Sequence, residues 1–219
     1  MKKAFVALLA AVAAFSSCEN KDYESGDGKN SLVTAELVEA HVSAGGIIDY
    51  VTTDEDVRLV FSKPYSVDWK VSKDTVCRAL AYYNVGSPQA VVPLSVQQIS
   101  TFSLILPDKA ERIVTDPVAF DCCWVSKNKS YLNLRLRLKT GSVRGEDKQQ
   151  SLGIMLERTE EEDGKRVAHL LLLHDQNGFP EYYSATALGC LPLRGFEADS
   201  IVLKMNTYNG TIEKSFGIR

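Results

Sequence analysis

Histidine is scarce in this chain: His41, His169 and His174 are the three in 219 residues. Any catalysis or metal binding that needs imidazole must draw on them. His169 and His174 lie five apart on one expected strand, and an odd offset sends them to opposite faces of a sheet, so the two cannot share a metal. The spacings H-E-x-x-H and C-x-x-C and the EF-hand loop are missing, as are the G-x-S-x-G elbow, the G-x-x-x-x-G-K-[ST] loop and the G-x-G-x-x-G turn. No signature of metal-assisted hydrolysis, acyl transfer or nucleotide binding remains. The expectation is a protein that is not an enzyme and carries no cofactor and no metal.

Basic charge is not in excess either. Lysine and arginine number 25 against 28 aspartate and glutamate, a formal net charge of −3. Nucleic acid selects basic surfaces, so it is not expected as a partner. Long hydrophobic runs are also lacking. The one apolar stretch of note, Ala4 to Phe15, falls short of the ~20 residues that cross a bilayer. It has the length of a secretory h-region, ~7–15 residues, and follows a positive Met1-Lys2-Lys3 start.

What is present begins where that run ends. Phe15-Ser16-Ser17-Cys18 resembles a bacterial lipobox, in which small residues precede the cysteine that receives a diacylglyceryl group through a thioether. Residues 1–17 therefore read as a signal peptide, and Cys18 as the lipid-bearing first residue of the mature chain. Loss of Lys2 and Lys3 with the leader makes the protein two units more acidic. Residues 18–30 hold Glu19, Asp22, Glu24 and Asp27 with two glycines and no aliphatic side chain, which suits a disordered tether. Each buried methylene of an acyl chain contributes about 0.8 kcal/mol, so two or three chains give a stable membrane anchor. The expected location is the bacterial outer membrane, with the membrane itself a partner through lipidated Cys18.

From Ser31 onward apolar residues alternate with period two, and no amphipathic helix exceeds two turns, so the fold class is all-β. Strands are expected near Leu32–Val42, Ile47–Thr52, Val57–Ser62, Thr75–Val85 and Ala90–Leu106, with a turn over Pro64 to Asp68. Five short strands suit a small OB-like barrel over residues 31–106. The proline-bounded, charged stretch 107–117 reads as a linker. Residues 118–219 hold six or seven strands at roughly 8–12-residue spacing, which indicates a β-sandwich. The clearest strand is Tyr131 to Lys139: Leu132, Leu134, Leu136 and Leu138 share one face, and Asn133, Arg135, Arg137 and Lys139 the other.

The order of lipobox, acidic tether, five-strand barrel, linker and terminal sandwich, with Trp124-Val125 leading into Ser130-Tyr131-Leu132-Asn133-Leu134, resembles the NigD-like lipoproteins. That resemblance implies an N-terminal OB-type domain, a C-terminal β-sandwich, and a role in bacteriocin immunity.

Candidate sites outside Cys18 are few. Cys77 on its strand reads as a small core residue. Glu160 to Gly164 reads as a solvated hairpin tip. Cys122 and Cys123 point to opposite faces of a strand and cannot share a partner; free thiols are expected at Cys77, Cys122, Cys123 and Cys190, with a bridge from Cys190 to one of the pair as the alternative. Between Leu32 and Leu106 there are five basic residues against eight acidic ones, so a barrel ligand would be read by aromatic rings such as Tyr65, Trp69 and Tyr83. Val167 to Leu173 is apolar at nearly every position, so both faces of that strand should be covered, with the first domain packing back on the outer one and a partner protein there as the alternative. The leading expectation is a non-catalytic cell-envelope binding lipoprotein, an immunity or accessory factor recognising a protein or peptide. The alternative is a surface glycan-binding lipoprotein in which Tyr65, Trp69 and Tyr83 form one exposed patch.

Overall fold

The computed structural model describes residues 33–87, 90–141 and 149–219. The signal peptide, Cys18 and the tether lie outside the described residues. Strands β1 (Val33–Val42), β2 (Ile47–Thr53), β3 (Arg58–Ser66), β4 (Thr75–Ser87) and β5 (Ala90–Gln98) close into a barrel in the order β1-β2-β3-β5-β4. Alternation fills it: Val38, Ala40 and Val42 of β1 point inward with Ile48, Val51, Phe61, Ala79, Ala81 and Val96. A barrel this narrow has room inside only for side chains. The parallel pairing of β3 with β5, Phe61 opposite Val91, is the crossover that gives the OB-type strand order. Strand β3 runs through Pro64 and Tyr65, where a turn was expected. Its register with β2 slips between Ile48 and Tyr50, and Pro64, which lacks an N–H, falls in the slipped stretch where it breaks no ladder bond.

The chain leaves the barrel sooner than the Ala90–Leu106 reading implied. β6 (Ser100–Thr101) and β7 (Leu104–Ile105) each join a different sheet of the sandwich. The other sandwich strands are β8 (Ala119–Val125), β9 (Tyr131–Thr140), β10 (Ser151–Glu162), β11 (Lys165–Asp175), β12 (Tyr183–Pro192), β13 (Ser200–Thr207) and β14 (Gly210–Gly217). One sheet runs β14-β13-β11-β10-β7 and the other β6-β12-β9-β8. Phe102, between β6 and β7, inserts into the sandwich core with Leu134, Leu170 and Leu203. Gly189 on β12 makes room for it: a Cβ there would lie 2.6 Å from the Phe102 ring. Leu132, Leu134 and Leu136 face inward from β9 as the alternation predicts, each contributing about 1.5–3 kcal/mol of burial.

The stretch expected to link the domains is structured. Pro107–Lys109 forms a 3-10 turn, and the chain then runs along β11. His174 donates its N–H to the Val114 carbonyl at 3.0 Å and its own carbonyl accepts from Asp116 at 2.9 Å; Asn206 donates to Thr115 at 2.7 Å. This strap lines a hollow with Leu173 and Gly153. The outer face of β11 is therefore covered by other means than expected. The barrel rests on the opposite sheet, against β9 and β12. At Leu171, flanked across the sheet by Met155 and Lys204, the outer face is closed by a lysine stem held by Glu157 at 3.7 Å.

Candidate functional site

The barrel and the sandwich meet through two turns and a buried arginine. The β2–β3 turn, Asp54-Glu55-Asp56, docks on the turn after β8: the Asn128 N–H donates to the Asp54 carbonyl at 2.9 Å, its amide donates to Asp56 at 2.9 Å, and Lys127 pairs with Glu55. Arg78, on the outward face of β4, is 3% exposed. Its guanidinium contacts Asp54 at 2.6 and 2.7 Å, donates to Asn133 at 3.3 Å and lies over the Tyr131 ring at 4.2 Å. A buried cation is tolerated only when neutralised and hydrogen-bonded, and here both domains supply partners. Tyr131 in turn donates its hydroxyl to Glu39 at 2.7 Å, which also receives Arg194 at 3.1 Å. Leu37, Ile99 and Cys190 make a small apolar cluster in the same junction.

Beside this junction a cleft of about 980 Å³ opens between β4 and the outer face of the four-stranded sheet. Glu36, Leu80 and Tyr82 line its barrel wall; Trp124, Arg135 and Leu188 line its sandwich wall. The cleft extends beside Gly189 toward Phe102. Trp124 is 37% exposed, standing on β8 at the edge of its sheet and directly opposite Asn133. Glu36 accepts the Tyr83 hydroxyl at 2.8 Å; Asp121 accepts Arg137 at 2.8 Å and forms an ion pair with Arg135 at 3.7 Å. Among the described residues no histidine lines the cleft. The arrangement offers apolar burial, the aromatic rings of Trp124 and Tyr82, an acidic wall and a basic wall, which is the chemistry of binding.

Residues 101–217 match the family model of the NigD-like C-terminal beta sandwich domain. The chain belongs to the NigD-like family. Solved structures agree in fold. A NigD-like immunity protein from Bacteroides caccae is 23% identical, with 84% of this chain and 96% of that one covered at a TM-score of 0.64. A candidate toxin-related protein from Parabacteroides distasonis is 15% identical over 84% and 92% of the two chains, TM-score 0.63. A candidate lipoprotein from Bacteroides fragilis is 13% identical over 85% and 98%, TM-score 0.60. No curated protein matches the sequence.

In this NigD-like chain the rings proposed from sequence do not form one exposed patch. Tyr83 is inside the barrel, 6% exposed, because β4 alternates and odd positions there point inward. Burial and the Glu36 hydrogen bond push its phenol well above the ordinary tyrosine range. Tyr65 and Trp69 are half-buried and pack against the barrel core. Tyr82, one of the barrel rings that could stack on a ligand, does wall the cleft; Trp124 and Arg135, legible in sequence only as a family motif and a wet strand face, stand across from it. Cys77, Cys122, Cys123 and Cys190 are free thiols. His174 is buried, its Nδ1 donating to the Asp116 carbonyl at 3.1 Å. His41 stacks on Tyr50 at 4.2 Å, and desolvation holds its pKa below the usual value. His169 lies on the other face of β11 from His174, beside Glu160 and Glu162, with one ligand atom of each residue within 4.8 Å of the others. Among the described residues no helix is long and apolar enough to cross a membrane.

Proposed function

We propose that this NigD-like chain is a non-catalytic, lipid-anchored envelope protein that binds a protein or peptide in the cleft between its barrel and its sandwich, acting as an immunity or accessory factor at the outer membrane. The observation that carries this reading is the cleft itself: an exposed Trp124 faces an acidic wall across a gap whose two sides are held by the Arg78 and Asn128 contacts. A pre-formed site with an aromatic anchor loses little entropy on binding. Cys18 would hold that site at the membrane. The B. caccae immunity protein and the P. distasonis toxin-related protein support a family role in toxin defence, and the B. fragilis lipoprotein supports the anchor.

Photo-crosslinking in the native bacterium tests it. A benzophenone side chain at position 124 should give one defined adduct, lost when Leu188→Glu blocks the cleft, while the same probe at Tyr182, at the start of β12 and outside the cleft lining, should give none. The reading fails if position 124 yields no adduct, or if both positions yield the same one. Labelled palmitate incorporation that survives Cys18→Ser would remove the anchor.

A further inference from the structure

We propose that Glu160, Glu162 and His169 form a binding site for a divalent transition-metal ion of the zinc type near the turn of the β10–β11 hairpin. The strands create the site by register. Strand β10 extends to Glu162, so only Asp163 and Gly164, both at positive φ, make the turn. Glu160 and Glu162 are two apart and share a face, with Val167 and Lys165 opposite them. His169 stands on that same face, opposite Arg158, and its side chain reaches diagonally toward both carboxylates.

The distances fit a metal. His169 Nε2 is 3.4 Å from Glu160 Oε2 and 3.9 Å from Glu162 Oε1. Zinc binds imidazole nitrogen and carboxylate oxygen at about 2.0–2.2 Å, so ligand atoms around a tetrahedral ion sit about 3.3–3.6 Å apart. Closing onto an ion needs shifts of about 1 Å or less from two exposed glutamate side chains, with water in the fourth position. The imidazole is pre-set: the His169 side chain is 14% exposed, and its Nε2 is shut off from solvent without a hydrogen-bond partner. A ring nitrogen facing two carboxylates needs a positive charge between them, which a metal ion coordinated by its lone pair would supply. A rival cation is present, since Arg158 pairs with Glu160 through Oε1, leaving Oε2 for the metal.

Calorimetric titration of the EDTA-treated full-length protein with zinc chloride tests the site. One ion per chain is expected. Loss of a supporting partner alone weakens metal sites by ~10–100-fold, so His169→Ala and Glu162→Gln should each weaken binding by at least about tenfold. Arg158→Ala should strengthen it by freeing Glu160, and His41→Ala should leave it unchanged. Unchanged affinity in Glu162→Gln overturns the proposal even where His169→Ala fails to fold, because Glu162 is exposed. So does a wild type that takes up no zinc.

Discussion

The guanidinium of Arg78, on the barrel, lies 4.2 Å from the centre of the Tyr131 ring, on the sandwich. With Asp54 on its other side, it makes the two domains share one buried charge. Removing the cation leaves a nearly buried carboxylate without its partner, and broken pairs of this kind cost about 3–5 kcal/mol. Arg78→Met should lower the urea unfolding free energy by about 3 kcal/mol. Asp54→Ala added to it should restore part of the loss, because no orphaned charge then remains. A single-variant loss below about 1 kcal/mol would show that the pair is already solvated.

Alkali should act on the same junction and on the barrel interior. Burial, then the hydrogen bonds to Glu39 and Glu36, raises the Tyr131 and Tyr83 phenols well above the ordinary value of 10.0. Above pH 10.0 the unfolded chain releases these protons while the folded one keeps them. Stability is thus fully present below that pH and falls as pH rises through it. Urea melts from about pH 8 to about pH 11 should show the decline, and Tyr131→Phe should flatten it while costing about 1 kcal/mol at neutral pH for the lost hydrogen bond. A decline of equal steepness in Tyr131→Phe/Tyr83→Phe would assign it elsewhere.

Adjacent cysteines should react differently. Cys122 is exposed, whereas burial, reinforced by Cys122, pushes the Cys123 thiol up to about 12. Alkylation needs accessible thiolate. Iodoacetamide on the native protein, followed by peptide mass spectrometry, should modify Cys122 first, with Cys123 and Cys190 labelled only after unfolding.

Gly189 should tolerate no side chain. A methyl group there would meet the Phe102 ring at 2.6 Å and the Ser100 carbonyl at 3.2 Å, and overpacking of this sort costs about 1–3 kcal/mol. Thermal unfolding of Gly189→Ala should show a lowered midpoint. Phe102→Leu in the same chain should recover part of it by withdrawing the ring; no recovery would place the strain at the Ser100 backbone.

Much of the architecture was legible because side-chain alternation follows from local backbone geometry. Leu132, Leu134 and Leu136 had to share a face in any extended chain, and that face had to be the buried one. The odd spacing of His169 and His174 separated them for the same reason. Partners, by contrast, belong to pairs of distant segments. Nothing within Ser100–Ile105 marks it as leaving the barrel; pairing with β12 and β10 and the space above Gly189 draw it into the sandwich. Arg78 reads as an exposed strand cation until the sandwich covers it with Tyr131 and Asn133. Trp124 reads as half of a sheet face until the barrel stands opposite and makes that face a wall. Glu160 and Glu162 look like a solvated tip until antiparallel register brings His169 alongside. Periodicity assigns each residue its side of a strand; what then stands across from that side is settled by long-range packing, where distant elements meet only in the folded chain.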